Sequence, residues 1–122
     1  MKITIHRANQ IGGCITVIEH EGCKIIIDLG SNLPGNQHKE LTKKEIDSIT
    51  GDANAIFYTH YHGDHTGLHH LVDPKIPQFI GEGAQEVMVC KYETLARHRD
   101  FSEQLISAQR MSNYRASRAI DY

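Results

Sequence analysis

The sequence predicts an α/β (α+β) fold, with a mixed sheet that opens as an antiparallel meander and is flanked by helices. Three observations predict it. β-branched segments crowd the first 28 residues, glycine-bearing turns separate them, and short apolar runs then alternate with segments of helical spacing.

Residues 2–6 alternate polar and β-branched side chains and read as a strand. Asn9-Gln10-Ile11-Gly12-Gly13 follows as a turn, and residues 14–20 (CITVIEH) form a second strand. Glu21-Gly22 is a short hairpin signal. Residues 23–28 (CKIIID) are a third strand, more buried because the apolar run is continuous. After a loop at residues 29–39, Thr42 with Glu45 three positions on makes a capping box and starts a helix over residues 43–49. A fourth strand ends in Ala55-Ile56-Phe57-Tyr58. A short helix is expected over residues 64–71, broken by Pro74, and a fifth strand over 77–81. Ala84, Val87, Met88, Lys91, Tyr92 and Leu95 recur at helical spacing, as do Phe101, Leu105 and Ala108. Residues 112–122 are polar and weakly patterned. The chain divides into a meander at 1–30, a helix, strand and histidine loop at 42–71, and a strand with helices at 77–111, all in one domain over 1–122.

The bulk numbers exclude more than they select. With 122 residues the chain has room for one core. A hydrophobic fraction of 39% and a charged fraction of 23% suit a soluble protein, and a net charge of −2 offers no global basic field for nucleic acid or an anionic membrane. The longest apolar run, Ile25-Ile26-Ile27, cannot span a bilayer. Cys14, Cys23 and Cys90 are odd in number and unclustered, and the opening residues carry no secretory leader. The expectation is a cytoplasmic protein with reduced thiols, a Cys14–Cys23 bridge across the hairpin being the alternative.

Nine histidines occur, and His60, His62, His65, His69 and His70 crowd one short stretch. Imidazole is the commonest metal ligand. In extended backbone, residues two apart project to one side, so His60 and His62 can face one ion. Gly63 lets the chain bend, and Asp64 and His65 then face a second point. That N/O donor set suits zinc, with manganese or iron as alternatives. Two such ions would hold a bridging hydroxide that attacks the substrate, with Asp64 orienting the water. His69 and His70 fall outside the pattern, and their place suggests a surface or supporting role. His6, His20, His38 and His98 read as surface residues.

Thr59-His60-Tyr61-His62-Gly63-Asp64-His65-Thr66-Gly67, an HxHxDH segment behind an apolar strand, resembles the signature of the metallo-β-lactamase superfamily. Asp28-Leu29-Gly30 after CKIII is similar to that family's DxG, whose aspartate supports the metal site. Thr59 and Gly67 flank the motif and share that supporting role. Residues 9–14, the hairpin and Asp28-Leu29-Gly30 together look like the start of the β-CASP branch, which includes ribonuclease J-like RNA-cleaving enzymes. The resemblance covers about residues 1–97. It implies the N-terminal half of an αββα sandwich, with His60, His62, Asp64 and His65 as metal ligands and two zinc ions in the complete site. It also implies a bound hydroxide that attacks a phosphodiester of RNA, or else a small-molecule thioester or lactone.

One departure from the family pattern stands out. The family's back half supplies a further histidine, a bridging aspartate and a last histidine, whereas after Arg99 this sequence offers only Asp100 and Asp121. Each ion would have two protein ligands where a catalytic zinc normally has three. The expectation is therefore a fragment, a truncated product or one part of a split assembly. Such a chain would bind metal weakly, show little activity alone, and pair with a complementary C-terminal half or with itself through an uncovered apolar sheet. A non-catalytic interaction subunit and a metal-storing module are the competing functions.

Overall fold

A computed structural model describes residues 1–114 of the chain. Six strands form one sheet in the order β1 to β6. They are β1 (Lys2–His6), β2 (Ile15–His20), β3 (Cys23–Ile27), β4 (Ala55–Phe57), β5 (Gln78–Gly81) and β6 (Ser112–Tyr114). The meander β1–β2–β3 is antiparallel, and β3 through β6 run parallel to one another. Helices α1 (Lys43–Thr50), α2 (Gly63–Thr66), α3 (Glu82–Leu95) and α4 (Ser102–Arg110) make the crossovers and connections that parallel pairing requires. Thr42 caps α1 as its sequence suggests, its hydroxyl oxygen accepting the Glu45 N–H.

Strand register sorts the side chains onto two faces. Val17, Ile26 and Ile56 pair across the ladder, and Ile15, Tyr58 and Ile80 lie two residues along on the same side. All six are buried, and they pack with Ile46 of α1, Met88 and Tyr92 of α3 and Ala108 of α4 into the single core. The opposite face carries Ile3, Ile18 and Ile25 in one row and Ile5, Ile27, Phe57 and Phe79 in the next. Phe57 and Phe79 stack at 5.1 Å between ring centroids. None of these seven belongs to the core cluster, and Ile3 and Ile5 are exposed. No described helix covers this face.

Two elements differ from the sequence reading. The helix expected over 64–71 stops at Gly67, and a separate 3-10 turn takes His69–Leu71. The cause is competition for acceptors. The Asp64 carbonyl accepts the Gly13 N–H at 2.8 Å, and the His65 carbonyl accepts the Leu29 N–H at 2.8 Å. The next helical turn would need both carbonyls. Within residues 112–122, Ser112–Tyr114 forms β6, which its polar sequence did not announce. Gln85 holds the approach to it, donating from Nε2 to the carbonyls of Ala108 (2.9 Å) and Met111 (2.8 Å). Asp121 lies outside the described residues. The Cys14–Cys23 alternative is overturned, since all three cysteines are free. No helix among the described residues is long and apolar enough to cross a membrane.

Candidate metal centre

The histidine loop begins where β4 ends and is built on the segment that follows β3. Asp28 is the first residue past β3, buried, with φ of 63°. That left-handed conformation is uncommon for a side-chain-bearing residue and persists where surrounding contacts demand it. Here the Asp28 N–H donates to the Phe57 carbonyl at 2.9 Å, and the carboxylate receives the Thr59 N–H at 2.8 Å. The bend at Asp28 thus joins the ends of two neighbouring parallel strands.

The loop is then clamped by backbone. Besides the Gly13 and Leu29 bonds, Ser31 donates to the Gly63 carbonyl from both N–H (3.0 Å) and Oγ (2.9 Å). Such close approach leaves no room for side chains. A Cβ on Gly30 would sit 1.8 Å from the Asp64 carbonyl oxygen, and one on Gly67 2.3 Å from Ser31 Oγ. Gly67 therefore serves the loop by being small.

Ring positions follow from this clamp. His60 and His62 lie 4.7 Å apart between ring centroids, and His60 and His65 4.1 Å apart. The three imidazoles gather at one place rather than splaying. Asp28 accepts from two directions. Its Oδ2 lies 2.9 Å from His65 Nδ1, and the Thr59 hydroxyl reaches the same carboxylate at 2.9 Å while standing 2.8 Å from His60 Nδ1. A carboxylate only accepts and a hydroxyl has one proton, so these contacts assign the tautomers. The Thr59 proton goes to Asp28, His60 Nδ1–H donates to Thr59, and His65 Nδ1–H donates to Asp28. Both Nε2 atoms are left with a free lone pair.

His65 Nε2 lies 3.5 Å from Asp64 Oδ2. With Nδ1 carrying the proton, these are two acceptors face to face. Two donor atoms on a tetrahedral ion with bonds of about 2.0–2.1 Å are themselves roughly 3.4 Å apart. The spacing fits such an ion. Among the described residues no three His, Cys, Asp or Glu side chains converge on one point as they stand. His60 stands between the other two rings, nearer His65 than His62, and Asp64 Oδ2 lies beside His65 Nε2.

A model of the metallo-beta-lactamase superfamily matches residues 11–97. The chain belongs to that superfamily. Its mixed sheet with flanking helices is the N-terminal half of the family's sandwich. Two solved structures illustrate the likeness. One is AidC, a dizinc quorum-quenching lactonase, at 18% identity and a TM-score of 0.53, with 88% of this chain and 45% of AidC covered. The other is a protein of unknown function from Enterococcus faecalis V583, at 16% identity and a TM-score of 0.63, with 84% and 31% covered. The chain thus spans less than half the length of either. No curated protein matches it.

One group central to this metallo-β-lactamase loop escaped the sequence reading. Arg7, 12% exposed, pairs with Glu40 at 2.7 Å, donates to Asn32 Oδ1 at 3.0 Å and reaches the Gly30 carbonyl. Gln10 Nε2 donates to the same Asn32 oxygen at 2.6 Å. This partly buried ion pair ties down the residues that press on Asp64. A single arginine far from the motif gives no sequence signal, because its partners Asn32 and Glu40 lie 25 and 33 positions away.

His69 corrects the sequence reading more sharply. It is fully buried, not at the surface, with Nδ1 2.7 Å from Ser107 Oγ and Nε2 3.0 Å from the Tyr92 hydroxyl. Burial, then the nearby His70 and Lys91, hold its pKa down to about 3. His70 is half-buried, and burial lowers its pKa as well. Neither ring joins the metal loop.

Proposed function

We propose that this chain carries one half of the two-ion centre of a metal-dependent hydrolase, with His60 and His62 holding one divalent ion and Asp64 and His65 the other. The observation that carries the reading is the tautomer lock. Asp28, directly and through Thr59, frees Nε2 on both His60 and His65, and leaves His65 opposite Asp64 at a metal-sized gap. Such outer hydrogen bonds orient imidazole ligands and raise their basicity. A divalent cation held there, zinc before manganese or iron, would lower the pKa of a bound water to about 7 and polarise the substrate oxygen. Asp64 would orient that water.

Two ligands per ion favour completion from outside the described half. The uncovered face from Ile3 to Phe79 supports pairing with a complementary half, or with a second copy, and burying it would relieve an aggregation hazard. Two bond types come within the hydrolytic reading. Residues 9–14 resemble the RNA-cleaving β-CASP branch and favour a phosphodiester. The ester reading, lactone or thioester, draws on the fold likeness to a lactonase. Gly12 and Gly13 have a local task against Asp64, so they do not discriminate between the two.

Zinc titration by calorimetry tests the reading. The expected result is saturable binding at micromolar or weaker affinity that disappears in a His60→Ala/His65→Ala double variant. Sub-micromolar affinity would overturn the half-site, and an unchanged isotherm in the double variant would remove the loop as the site.

A further inference from the structure

Helix α4 turns one face to the core, through Ala108, and another to a groove of about 650 Å³. The groove lies where β5 and β6 begin, beside Pro77, Gln78 and Ser112, whereas the metal loop follows the far end of the parallel strand β4. From α4 the groove takes Glu103, Ile106, Ser107 and Arg110. Steps of three, four and seven positions put these four on one stripe of the helix, so they form a continuous surface. Ile106 is 47% exposed although its side chain is large and apolar. Buried Val72, Ile76 and Met111 continue the apolar lining.

Charge selects the occupant. Among the described residues, three that line the groove are charged at neutral pH, Lys43, Glu103 and Arg110. Lys43 is bonded to Asp47 at 2.6 Å. Glu103 and Arg110 make no ion pair among the described residues. His70 shares the groove but does not offset Glu103, because burial lowers its pKa.

A stripe with an anion at one end, a cation two turns on and an isoleucine between them is complementary to itself. Two such stripes can be set antiparallel about a two-fold axis through their midpoint. Glu103 of each copy then meets Arg110 of the other, and Ile106 of each falls beside Ser107 of the other. Seven residues rise about 10.5 Å on both helices, so the two ion pairs close together. Ser107 is small, and its hydroxyl is turned to His69 at 2.7 Å, which leaves a shallow place for the incoming isoleucine.

We propose that two copies of this chain pair through α4, antiparallel, with each helix lying in the groove of the other. Because α4 packs on the core, this surface is apart from the uncovered face that runs from Ile3 to Phe79, and it does not rest on the metal-loop reading. A helix of 9 residues and one groove wall bury an area at the small end of specific interfaces, so the dimer is weak and reversible. The charges fix its register and exclude the parallel arrangement.

Sedimentation velocity over a concentration series tests it, in an Ile5→Lys background that sets aside pairing through the uncovered face. The expected result is a monomer–dimer equilibrium. Glu103→Arg and Arg110→Glu are each expected to weaken it about tenfold or more, since each sets like charges face to face. An equimolar mixture of the two variants is expected to recover the dimer, because opposite charges then meet at both ends. Both side chains are exposed, so neither change is expected to unfold the chain, and recovery in the mixture reads that directly. A chain that stays monomeric at every concentration would overturn the inference and leave the groove to another kind of partner. A dimer indifferent to either reversal would also overturn it, as would a mixture that stays monomeric.

Discussion

Two groups of histidines lie within a dozen residues of each other and meet opposite fates. His60, His62 and His65 gather at a partly open loop, with Nε2 lone pairs on His60 and His65 unspent. His69 spends both ring nitrogens on Tyr92 and Ser107 and tolerates no charge. What separates them is the group standing behind the ring. A carboxylate behind Nδ1 readies the far nitrogen for a cation. Hydroxyls on both sides make the ring a strut between α3, α4 and the 3-10 turn.

Gly30→Ala would give the largest effect. The added methyl meets the Asp64 carbonyl at 1.8 Å, a clash with backbone that no rotamer can relieve. Moving the loop breaks the clamp, so a loss of about 3 kcal/mol or more is expected, together with loss of zinc binding. Chemical denaturation and calorimetry check it. Wild-type stability in this variant would mean that the clamp is not rigid.

His69→Ala separates the two clusters. Removing the ring leaves a cavity and orphans the Tyr92 and Ser107 hydroxyls, at about 2–4 kcal/mol, with zinc affinity unchanged. Acid sharpens the same contrast. Below pH 6.5 the unfolded His69 takes a proton that the folded one refuses until about 3. The unfolded state then binds more protons, so stability falls as pH drops through that window, by up to about 1.4 kcal/mol per pH unit for this group. Half-buried His70 pulls in the same direction. A His69→Gln variant should show a shallower acid slope over the same range, measured by denaturant midpoints.

Asp28→Asn acts on the metal loop alone. The amide can offer a proton to His65 Nδ1, which moves the imidazole proton to Nε2 and caps the lone pair. Zinc affinity is expected to fall about 10–100-fold while stability changes little. An unchanged affinity would show that the carboxylate does not set the tautomer.

These contrasts mark what a sequence can disclose. The HxHxDH segment stood out because its residue types recur at short spacing behind an apolar strand, and Asp28 stood out through the resemblance of its DxG to the family's. The meander was legible from β-branched runs, and α1 from its cap. The separation of His69 from the motif was not, because Tyr92 and Ser107 lie 23 and 38 positions away and a buried imidazole looks like an exposed one in the chain. β6 was hidden for another reason. Ser112, Asn113 and Tyr114 carry no strand pattern, and pairing with β5 and the Gln85 bonds impose the conformation from outside.

The smallest expected effect concerns the two faces of the sheet. Ile5 is half exposed on the uncovered side, in the edge strand, whereas Val17 is buried on the covered side. Replacing Ile5 by Lys should cost under about 0.5 kcal/mol, because that side chain already lies largely in water. The same change on an open edge should suppress strand pairing between copies. Size-exclusion chromatography across a concentration series reads it: less self-association than wild type, at nearly equal stability. A cost like that of Val17→Lys, which buries a charge in the core, would mean that Ile5 is covered in solution.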